Sequence, residues 1–366
     1  MDLLALPKGH LHYHLEPCMR PSRLDHLCKK YGIQREGVSG MNVPRKFTSF
    51  DDFESVVEAT CFNTIRRPED LVGIVLDMAE DAAAQGVVYI EPAFGAAGVF
   101  ADRWPSSERV VWDVALTAGK VAEERTGVIV RWMVPAVRTL GPDSVMQTAK
   151  LAVEMAASGE PIVSFGLHAS EGPKLSGEGP FPPEPFQNAF ILATNAGLVA
   201  TPHAGEFLGP CSCKGAIENL KAQRLQHGIR AVEDQATLEL LAREKVCCDV
   251  CLTSNALLQV VPSVDQHPLP RLLQAGVPCS INVDDSLLFG KSIIDEYENA
   301  RDVLGISDTL LRDCAYNSLA YSSVLLRAQR GIKDSAVIPL EGHMERIANW
   351  PLQSGEPSSK KHRSNL

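Results

Sequence analysis

A group of histidines near the start of the chain has the residue types and the spacing for metal chemistry. In the segment 9–15, the imidazoles of His10, His12 and His14 recur at every second position. Because side chains of an extended strand alternate between its two faces, this pattern predicts that the three rings share one face. Neutral imidazole is the commonest protein ligand of metal ions, and two such rings can bind one zinc-sized ion. The segment alone is equally compatible with a polar strand end near the surface.

Further imidazole and carboxylate groups occur directly after apolar runs later in the chain. They are His203-Ala204-Gly205-Glu206, His227-Gly228 and Asp284-Asp285. Each group alone has a structural explanation, since a histidine at a strand end can be a hydrogen-bonded loop residue and an Asp pair is often a helix N-cap. If the runs are parallel strands of one barrel, however, their carboxyl ends meet at the same mouth. The combined set then has the composition of a metal hydrolase site.

The elements that must position these groups follow a regular alternation of apolar runs and amphipathic segments. Runs rich in β-branched residues predict eight strands, at residues 9–15, 87–91, 127–137, 162–167, 198–203, 224–228, 246–252 and 277–283. Helical patterns separate them, which favours parallel strands with crossover helices. We therefore predict an α/β fold, a (β/α)8 TIM barrel with additional helices at 293–304 and 308–327. A doubly wound open sheet is the alternative, weakened because no Gly-x-Gly-x-x-Gly follows an early strand.

Composition limits the classes of partner. The 366 residues carry a net charge of −10 and a sequence pI near 5.5, which argues against a nucleic-acid polymer because such partners require clustered Lys and Arg. No run of eighteen apolar residues predicts a membrane span, and we expect a cytoplasmic protein.

We predict one barrel domain over residues 1–350, and a disordered tail over 351–366. The sequence leaves the oligomeric state open.

The ten cysteines do not form the pattern of a small disulfide-bonded protein. In a long chain of this composition they are expected to be free, buried thiols that pack as small apolar side chains. The pair Cys248-x-x-Cys251 could be half of a zinc site, but its apolar neighbours predict a buried strand.

The motifs together resemble the adenosine deaminase family of zinc-dependent amidohydrolases, over about residues 6–325. The segments that carry the resemblance are Leu6-Pro7-Lys8, His12-Tyr13-His14-Leu15-Glu16, His203-Ala204-Gly205-Glu206, Arg224-Leu225-Gln226-His227-Gly228, Cys251-Leu252-Thr253-Ser254-Asn255 and Asn282-Val283-Asp284-Asp285. The resemblance implies one Zn²⁺ per chain, bound by His12, His14, His203 and Asp284.

The resemblance also implies roles in the hydrolytic deamination of a 6-aminopurine. His227 is expected to accept the proton of the attacking water and to orient it, with Asp284 assisting. Glu206 is expected to donate a proton to the purine N1, which requires a raised pKa. Asp285 is expected to face N7, and His14 to lie beside the bound purine. The products are the 6-oxo purine and ammonia.

Two departures from the family pattern fall on expected substrate contacts. Glu16-Pro17 stands where nucleoside deaminases commonly have Asp-Gly, an aspartate associated with ribose recognition. Ala169 stands in place of the glycine whose N–H approaches purine N3, so a backbone donor remains but a Cβ is added. Glutamate at position 16 resembles relatives that act on the free base, and Pro17 lacks a backbone N–H donor, so both residues argue against ribose recognition. The resemblance as a whole implies an adenosine or modified adenosine substrate, with free adenine or an aminodeoxyfutalosine-like nucleoside as alternatives.

Two other functions are compatible with parts of the sequence. A cytidine-deaminase-type enzyme would use His14-Leu15-Glu16 with Cys248-x-x-Cys251, but Cys247 stands where that signature has proline. A non-catalytic relative could bind a ligand without turnover. The presence of both Glu206 and His227 argues against such a binder, which would need neither.

Overall fold

The strands that the structure describes are parallel, and several of them are only two to four residues long. The computed structural model describes residues 1–34, 43–95 and 108–351. The tail predicted to be disordered lies outside these residues, apart from its first position. The strands are β1 (Lys8–His14), β2 (Val87–Ala93), β3 (Ile129–Val130), β4 (Trp132–Val137), β5 (Ile162–His168), β6 (Val199–Ala200), β7 (His203–Ala204), β8 (Arg224–His227), β9 (Cys247–Val250) and β10 (Cys279–Ile281).

The ten strand segments occupy eight positions of a barrel. The order is β1-β2-β4-β5-β6 in one sheet, with β3 also paired to β2, and β10-β9-β8-β7 in the other, and all printed pairs are parallel. The segments β6 and β7 are interrupted at Pro202, which has no amide N–H to donate to a neighbouring strand. On the other side, Tyr13 and Asp284 form a parallel bridge between β1 and the end of β10. The predicted (β/α)8 barrel is confirmed.

Helices follow the strands and cover the outside of the barrel. The α-helices are Pro21–Tyr31, Phe50–Val57, Pro68–Ala84, Glu108–Thr126, Gly141–Ala157, Gln187–Asn195, Pro210–Leu220, Gln235–Glu244, Leu252–Leu257, Leu269–Gln274, Ser286–Phe289, Ile293–Glu298, Asp308–Ala320, Ser323–Ala328 and Val337–Ala348. The sequence patterns missed the last of these and predicted one helix over 308–327. That helix is broken at Ser322, whose hydroxyl caps the second part by accepting a hydrogen bond from the Leu325 amide.

The prediction that His10 shares one face of the first strand with His12 and His14 is wrong. The register of β1 against β2 shifts between His10 and Tyr13, so the strict alternation of faces is interrupted there. His10 accepts a hydrogen bond from the Val283 amide at Nε2, and its ring lies edge-on to Tyr13 with 4.9 Å between centroids. His10 therefore does not join His12 and His14.

A fully buried ion cluster connects distant strands inside the barrel. Arg224 Nη1 lies 3.0 Å from Glu91 Oε2, and Arg224 Nε lies 3.0 Å from Asp249 Oδ2. Glu91 also accepts hydrogen bonds from the amide and the hydroxyl of Ser323, which positions the start of the helix Ser323–Ala328. Since none of the three charged side chains is exposed to water, each depends on the others for compensation of its charge.

Two expectations about the whole chain concern cysteines and membranes. None of the ten cysteines, all of which lie in the described residues, forms a disulfide bond, and nine are buried as predicted, whereas Cys211 is exposed. In the part of the chain that the structure describes, no helix combines the length and the apolar character needed to cross a bilayer.

We predict that Arg224→Met destabilises the fold strongly, because it leaves Glu91 and Asp249 buried without a counter-charge. The free energy of unfolding should fall by about 3–5 kcal/mol. The matched control is Arg243→Met, which removes an exposed pair with Glu244 and should cost less than about 1 kcal/mol. Denaturant unfolding of the two variants measures both values, and equal losses would contradict a structural role for the buried cluster.

Candidate active site

The predicted site residues converge on one cavity at the carboxyl ends of the barrel strands. The cavity has a volume of about 390 Å³. Of the residues predicted from the sequence, its walls include His14, Glu16, Ala169, His203, Glu206, His227, Asp284 and Asp285. His12 lies directly behind this wall and is fully buried. The barrel therefore brings together every side chain that the sequence selected, with the exception of His10.

Four potential metal ligands lie close together at the base of the cavity. His12 Nε2 and His14 Nε2 are 3.2 Å apart, and both lie 3.0–3.1 Å from Asp284 Oδ1. Ligand atoms of His12, His203, His227 and Asp284 lie within 4.8 Å of one another, and in a second group those of His14, His168 and His203 do so as well. Three imidazoles and one carboxylate are a typical donor set for a zinc-like ion. The donors and their spacing fit a single bound metal.

A backbone carbonyl orients the first of these ligands. His12 Nδ1 lies 3.3 Å from the Asp249 carbonyl oxygen, which can only accept a hydrogen bond. His12 therefore carries its N–H at Nδ1 and presents the lone pair of Nε2 to the cluster. Such a hydrogen bond to the outer nitrogen is the usual way in which a protein fixes a metal-binding histidine.

Three non-glycine residues at strand ends adopt the left-handed backbone conformation. The φ angles are 73° at Ala169, 72° at His227 and 73° at Asp284. Each such residue costs roughly 1–2 kcal/mol. Two hydrogen bonds to β1 hold the backbone of Asp284. Its amide donates to the His12 carbonyl, and its carbonyl accepts from the His14 amide. Strain of this kind concentrates at functional sites.

Glu206 is a buried carboxyl group whose surroundings favour its protonated form. Burial raises the pKa of Glu206 well above its ordinary value, and the nearby Asp284 charge raises it further. Its loop is held by Glu171, whose carboxylate accepts hydrogen bonds from the amides of Gly205, Glu206 and Phe207 at 2.8–3.0 Å. The sequence analysis did not assign this supporting role to Glu171.

Two adjacent aspartates are driven to opposite protonation states. Burial alone would raise the pKa of Asp284, but hydrogen bonds and attraction from His12 and His14 hold it well below its usual range. Burial and the neighbouring Asp284 charge raise the pKa of Asp285 well above its usual range. The surroundings thus favour the ionised form of Asp284, which suits a cation, and the protonated form of Asp285, which can donate a hydrogen bond.

His227 faces both acidic groups from the end of β8. Its Nε2 lies 3.4 Å from Glu206 Oε2 and 3.9 Å from Asp284 Oδ2. Burial and the nearby His12 ring lower the pKa of His227 well below 6.5, so the ring is neutral. A neutral imidazole between an acid and an anion can either accept or donate a proton, depending on its tautomer.

The outer part of the cavity has an apolar wall and a buried carboxyl group. The helix Phe50–Val57 contributes Phe50 and Phe53 to the wall. Burial raises the pKa of Glu16 to about 7, and its Oε1 has no protein hydrogen-bond partner. Glu16 is therefore available to a polar group of a ligand.

The structure also places residues at the site that the sequence analysis did not single out. His168 lies at the end of β5, with 4.5 Å between its ring centroid and those of His14 and His203. Ser254 donates to Asp284 Oδ2 at 2.6 Å, and Asn255 contacts both Glu206 and His227. His168 was detectable as another polar residue directly after an apolar run.

Comparison with known sequences gives matches along most of the chain. The sequence model described as adenosine deaminase matches residues 7–337. A Streptomyces virginiae protein named provisionally as an adenosine/adenine deaminase is 34% identical over 330 residues, covering 88% of this chain and 93% of that protein. An aminodeoxyfutalosine deaminase of Streptomyces coelicolor is 32% identical over 322 residues, covering 87% of this chain and 81% of that protein.

Solved structures match the fold over nearly the whole chain. An adenine deaminase from Arthrobacter aurescens superimposes with a TM-score of 0.81 and 25% identity, covering 94% of this chain and 99% of that one. An amidohydrolase from Burkholderia ambifaria, solved with bound zinc, superimposes with a TM-score of 0.77 and 21% identity, covering 95% and 94%.

We predict that Glu16→Gln removes a pH-dependent loss of stability. A carboxyl whose folded pKa is about 7, against 4.5 when unfolded, destabilises the fold increasingly as the pH rises through this interval. The variant should match the original chain below pH 4.5 and exceed it by about 3 kcal/mol above pH 7. Unfolding of metal-free protein at several pH values measures this difference, because a cation beside His14 would favour ionised Glu16. A pH-independent difference would contradict the assignment.

Proposed function

We propose that this chain, which belongs to the adenosine deaminase family, is a zinc-dependent enzyme that hydrolyses the 6-amino group of a purine nucleoside. Family membership makes it an aminohydrolase that acts on a C–N bond of an adenine- or adenosine-like molecule. The observation that carries the finer proposal is the pairing of a neutral acid, Glu206, with an anionic metal ligand, Asp284, in one cavity. Hydrolytic deamination requires both.

His12, His14, His203 and Asp284 are the residues that would hold the zinc ion. The closely spaced ligand atoms and the lone pair that His12 directs into the cluster support this assignment, as does the zinc in one related fold. A zinc ion bound there would lower the pKa of coordinated water from about 15.7 to about 7, which makes hydroxide available at neutral pH.

The remaining residues bind the purine and manage protons. Glu206 donates its proton to N1 as the oxygen adds to C6, so the electron pair that moves from the C6–N1 double bond onto N1 is neutralised. Neutral Asp285 donates a hydrogen bond to N7. His227 and the carboxylate of Asp284 face the position of the attacking water and orient it. The proton that Asp284 takes from the water then passes to the amino group, which leaves as ammonia, and the proton of the new C6 hydroxyl restores Glu206.

The cavity walls support an uncharged nucleoside rather than a nucleotide. Among the described residues that line it, none is Lys or Arg, whereas Glu54 and Glu58 lie at the mouth. A phosphate group would meet two carboxylates there, and the described cation beside them, Lys174, already lies 3.9 Å from Glu54 Oε2, so binding of a phosphate is unfavourable. The apolar side chains of Phe50 and Phe53 can pack against a ring.

Free adenine is a second candidate that one observation favours. Glu16 lies in the cavity with an unpartnered oxygen, and it could accept a hydrogen bond from the N9–H that only the free base carries. In a nucleoside the same oxygen would accept a ribose hydroxyl. The single-domain extent of residues 1–350, the cytoplasmic location and the absence of a nucleic-acid or membrane partner stay predictions.

We predict one zinc ion per chain, lost on mutation of its ligands. Elemental analysis of protein purified without added metal should give a stoichiometry near one. His203→Ala should abolish tight binding, whereas His10→Gln should retain it because His10 lies outside the cluster. An active enzyme without a transition metal would contradict the proposal.

We predict that Glu206→Gln keeps zinc but loses most turnover. Glutamine has the size of glutamate and can hydrogen-bond N1, but it cannot donate a proton in the same way. The loss should be about 10²–10⁴-fold in kcat. The assay uses a panel of adenosine, adenine, a modified adenosine and AMP, followed by loss of the 6-aminopurine absorbance. AMP as the best substrate would contradict the nucleoside assignment, and near-normal turnover of the variant would contradict the role of Glu206.

A further inference from the structure

A chain of hydrogen bonds reaches His227 from a backbone amide on the far side of the site. The Leu269 amide donates to His267 Nδ1 at 3.1 Å. A backbone N–H can only donate, so His267 Nδ1 must carry a lone pair. The ring is buried, and burial lowers the pKa of His267 to about 3. As a neutral imidazole with an accepting Nδ1, His267 carries its single N–H at Nε2.

The proton on His267 determines the orientation of Asn255. His267 Nε2 lies 3.1 Å from Asn255 Oδ1, so its N–H donates to the amide oxygen. The two hydrogens of Asn255 Nδ2 then face the catalytic groups. One is directed at His227 Nδ1, 3.2 Å away, and the other at Glu206 Oε1, 3.3 Å away. All three hydrogen-bonding positions of the buried amide are used.

The reverse orientation of Asn255 is unfavourable. Amide oxygen and nitrogen are exchanged by a half-turn, so their assignment depends on the surrounding network. After such a turn, Nδ2 of Asn255 would face the Nε2–H of His267, and two donors would oppose each other in a buried site. The backbone amide of Leu269 prevents His267 from relieving this conflict by changing its tautomer.

We propose that His267 and Asn255 are positioning residues that fix His227 as the tautomer with its proton on Nε2. The proposal rests on the proposed deaminase function, and it changes the role predicted for His227 from the sequence. Because Nδ1 accepts from Asn255, the N–H of Nε2 points towards Glu206 and Asp284. His227 therefore donates a hydrogen bond to the attacking oxygen, and it does not take the proton from it.

The same amide also assigns the proton of Glu206. Since Oε1 accepts from Asn255, the proton that Glu206 donates in the proposed reaction belongs on Oε2, the oxygen that faces His227. In the addition step, the water oxygen forms a bond to C6 and one water proton passes to the carboxylate of Asp284. The Glu206 proton passes to N1. Two protons are thus moved, and His227 ends the step with the proton it began with.

Nitrogen NMR of the zinc-containing enzyme tests the tautomer directly. Protein labelled with ¹⁵N-histidine should show, for His227, the signature of a neutral ring protonated at Nε2 and unprotonated at Nδ1. Comparison with His227→Gln assigns its signals, and the exposed His26 serves as a reference for a ring without fixed partners. A ring protonated at Nδ1 would overturn the proposal.

Asn255→Asp separates the two possible roles of His227. A carboxylate can only accept, so it should draw the proton of His227 to Nδ1 and leave Nε2 without one, while the bond from His267 is kept. If His227 acts as a donor, kcat should fall by about 10⁴-fold, the size of the loss seen when another enzyme's catalytic histidine is held in the wrong tautomer. Retained or increased turnover with the proton moved to Nδ1 would overturn the proposal.

A matched pair at position 267 controls for the charge introduced by Asn255→Asp. His267→Gln can still donate to Asn255 Oδ1, whereas His267→Leu cannot. The glutamine variant should keep the Nε2 signature of His227, and the leucine variant should show a mixture of tautomers with zinc content unchanged in both. Identical spectra for the two variants would overturn the proposal. Loss of deamination or zinc in the unmutated chain would instead contradict the proposed function, so the two failures are distinguishable.

Discussion

Asp284 joins the fold and the chemistry at a single residue. Its backbone amide and carbonyl bond to His12 and His14 of β1, which connects the last strand to the first and closes the barrel. Its carboxylate lies 3.0–3.1 Å from the Nε2 atoms of the same two histidines. The left-handed φ of 73° at this residue is the geometric cost of serving both connections. Barrel closure therefore assembles the metal cluster directly.

The charge pattern of the cavity depends on whether each buried carboxyl group has neighbours that stabilise its negative charge. Imidazole neighbours lower the pKa of Asp284, whereas burial and the Asp284 charge raise the pKa of Asp285 and of Glu206. An ionised Asp284 also raises the pKa of both neighbours. One compensated anion thus creates two hydrogen-bond donors in the same cavity, which is the combination that protonation of a purine ring requires.

Groups outside the cavity determine how the cavity residues act. The Asp249 carbonyl fixes the tautomer of His12, Glu171 holds the loop that carries Glu206, and His267 acts on His227 through Asn255. All three of these supports begin or end at a backbone group, which cannot change its donor or acceptor character. This makes the protonation pattern of the site a consequence of the fold.

The sequence by itself determined the barrel class and selected nearly all of the residues that the structure brings together at the cavity, because both are encoded locally. Apolar runs followed by His12, His203, His227 or Asp284 indicate strand ends, and parallel strands bring such ends together. Only the tertiary structure decided that His10 leaves the cluster, because a register shift against β2 depends on the neighbouring strand. Contacts between residues far apart in the chain, such as Arg224 with Glu91, leave no periodic signal. The tautomer of His227 was likewise undecidable from spacing, since it depends on hydrogen bonds among side chains that meet only after folding.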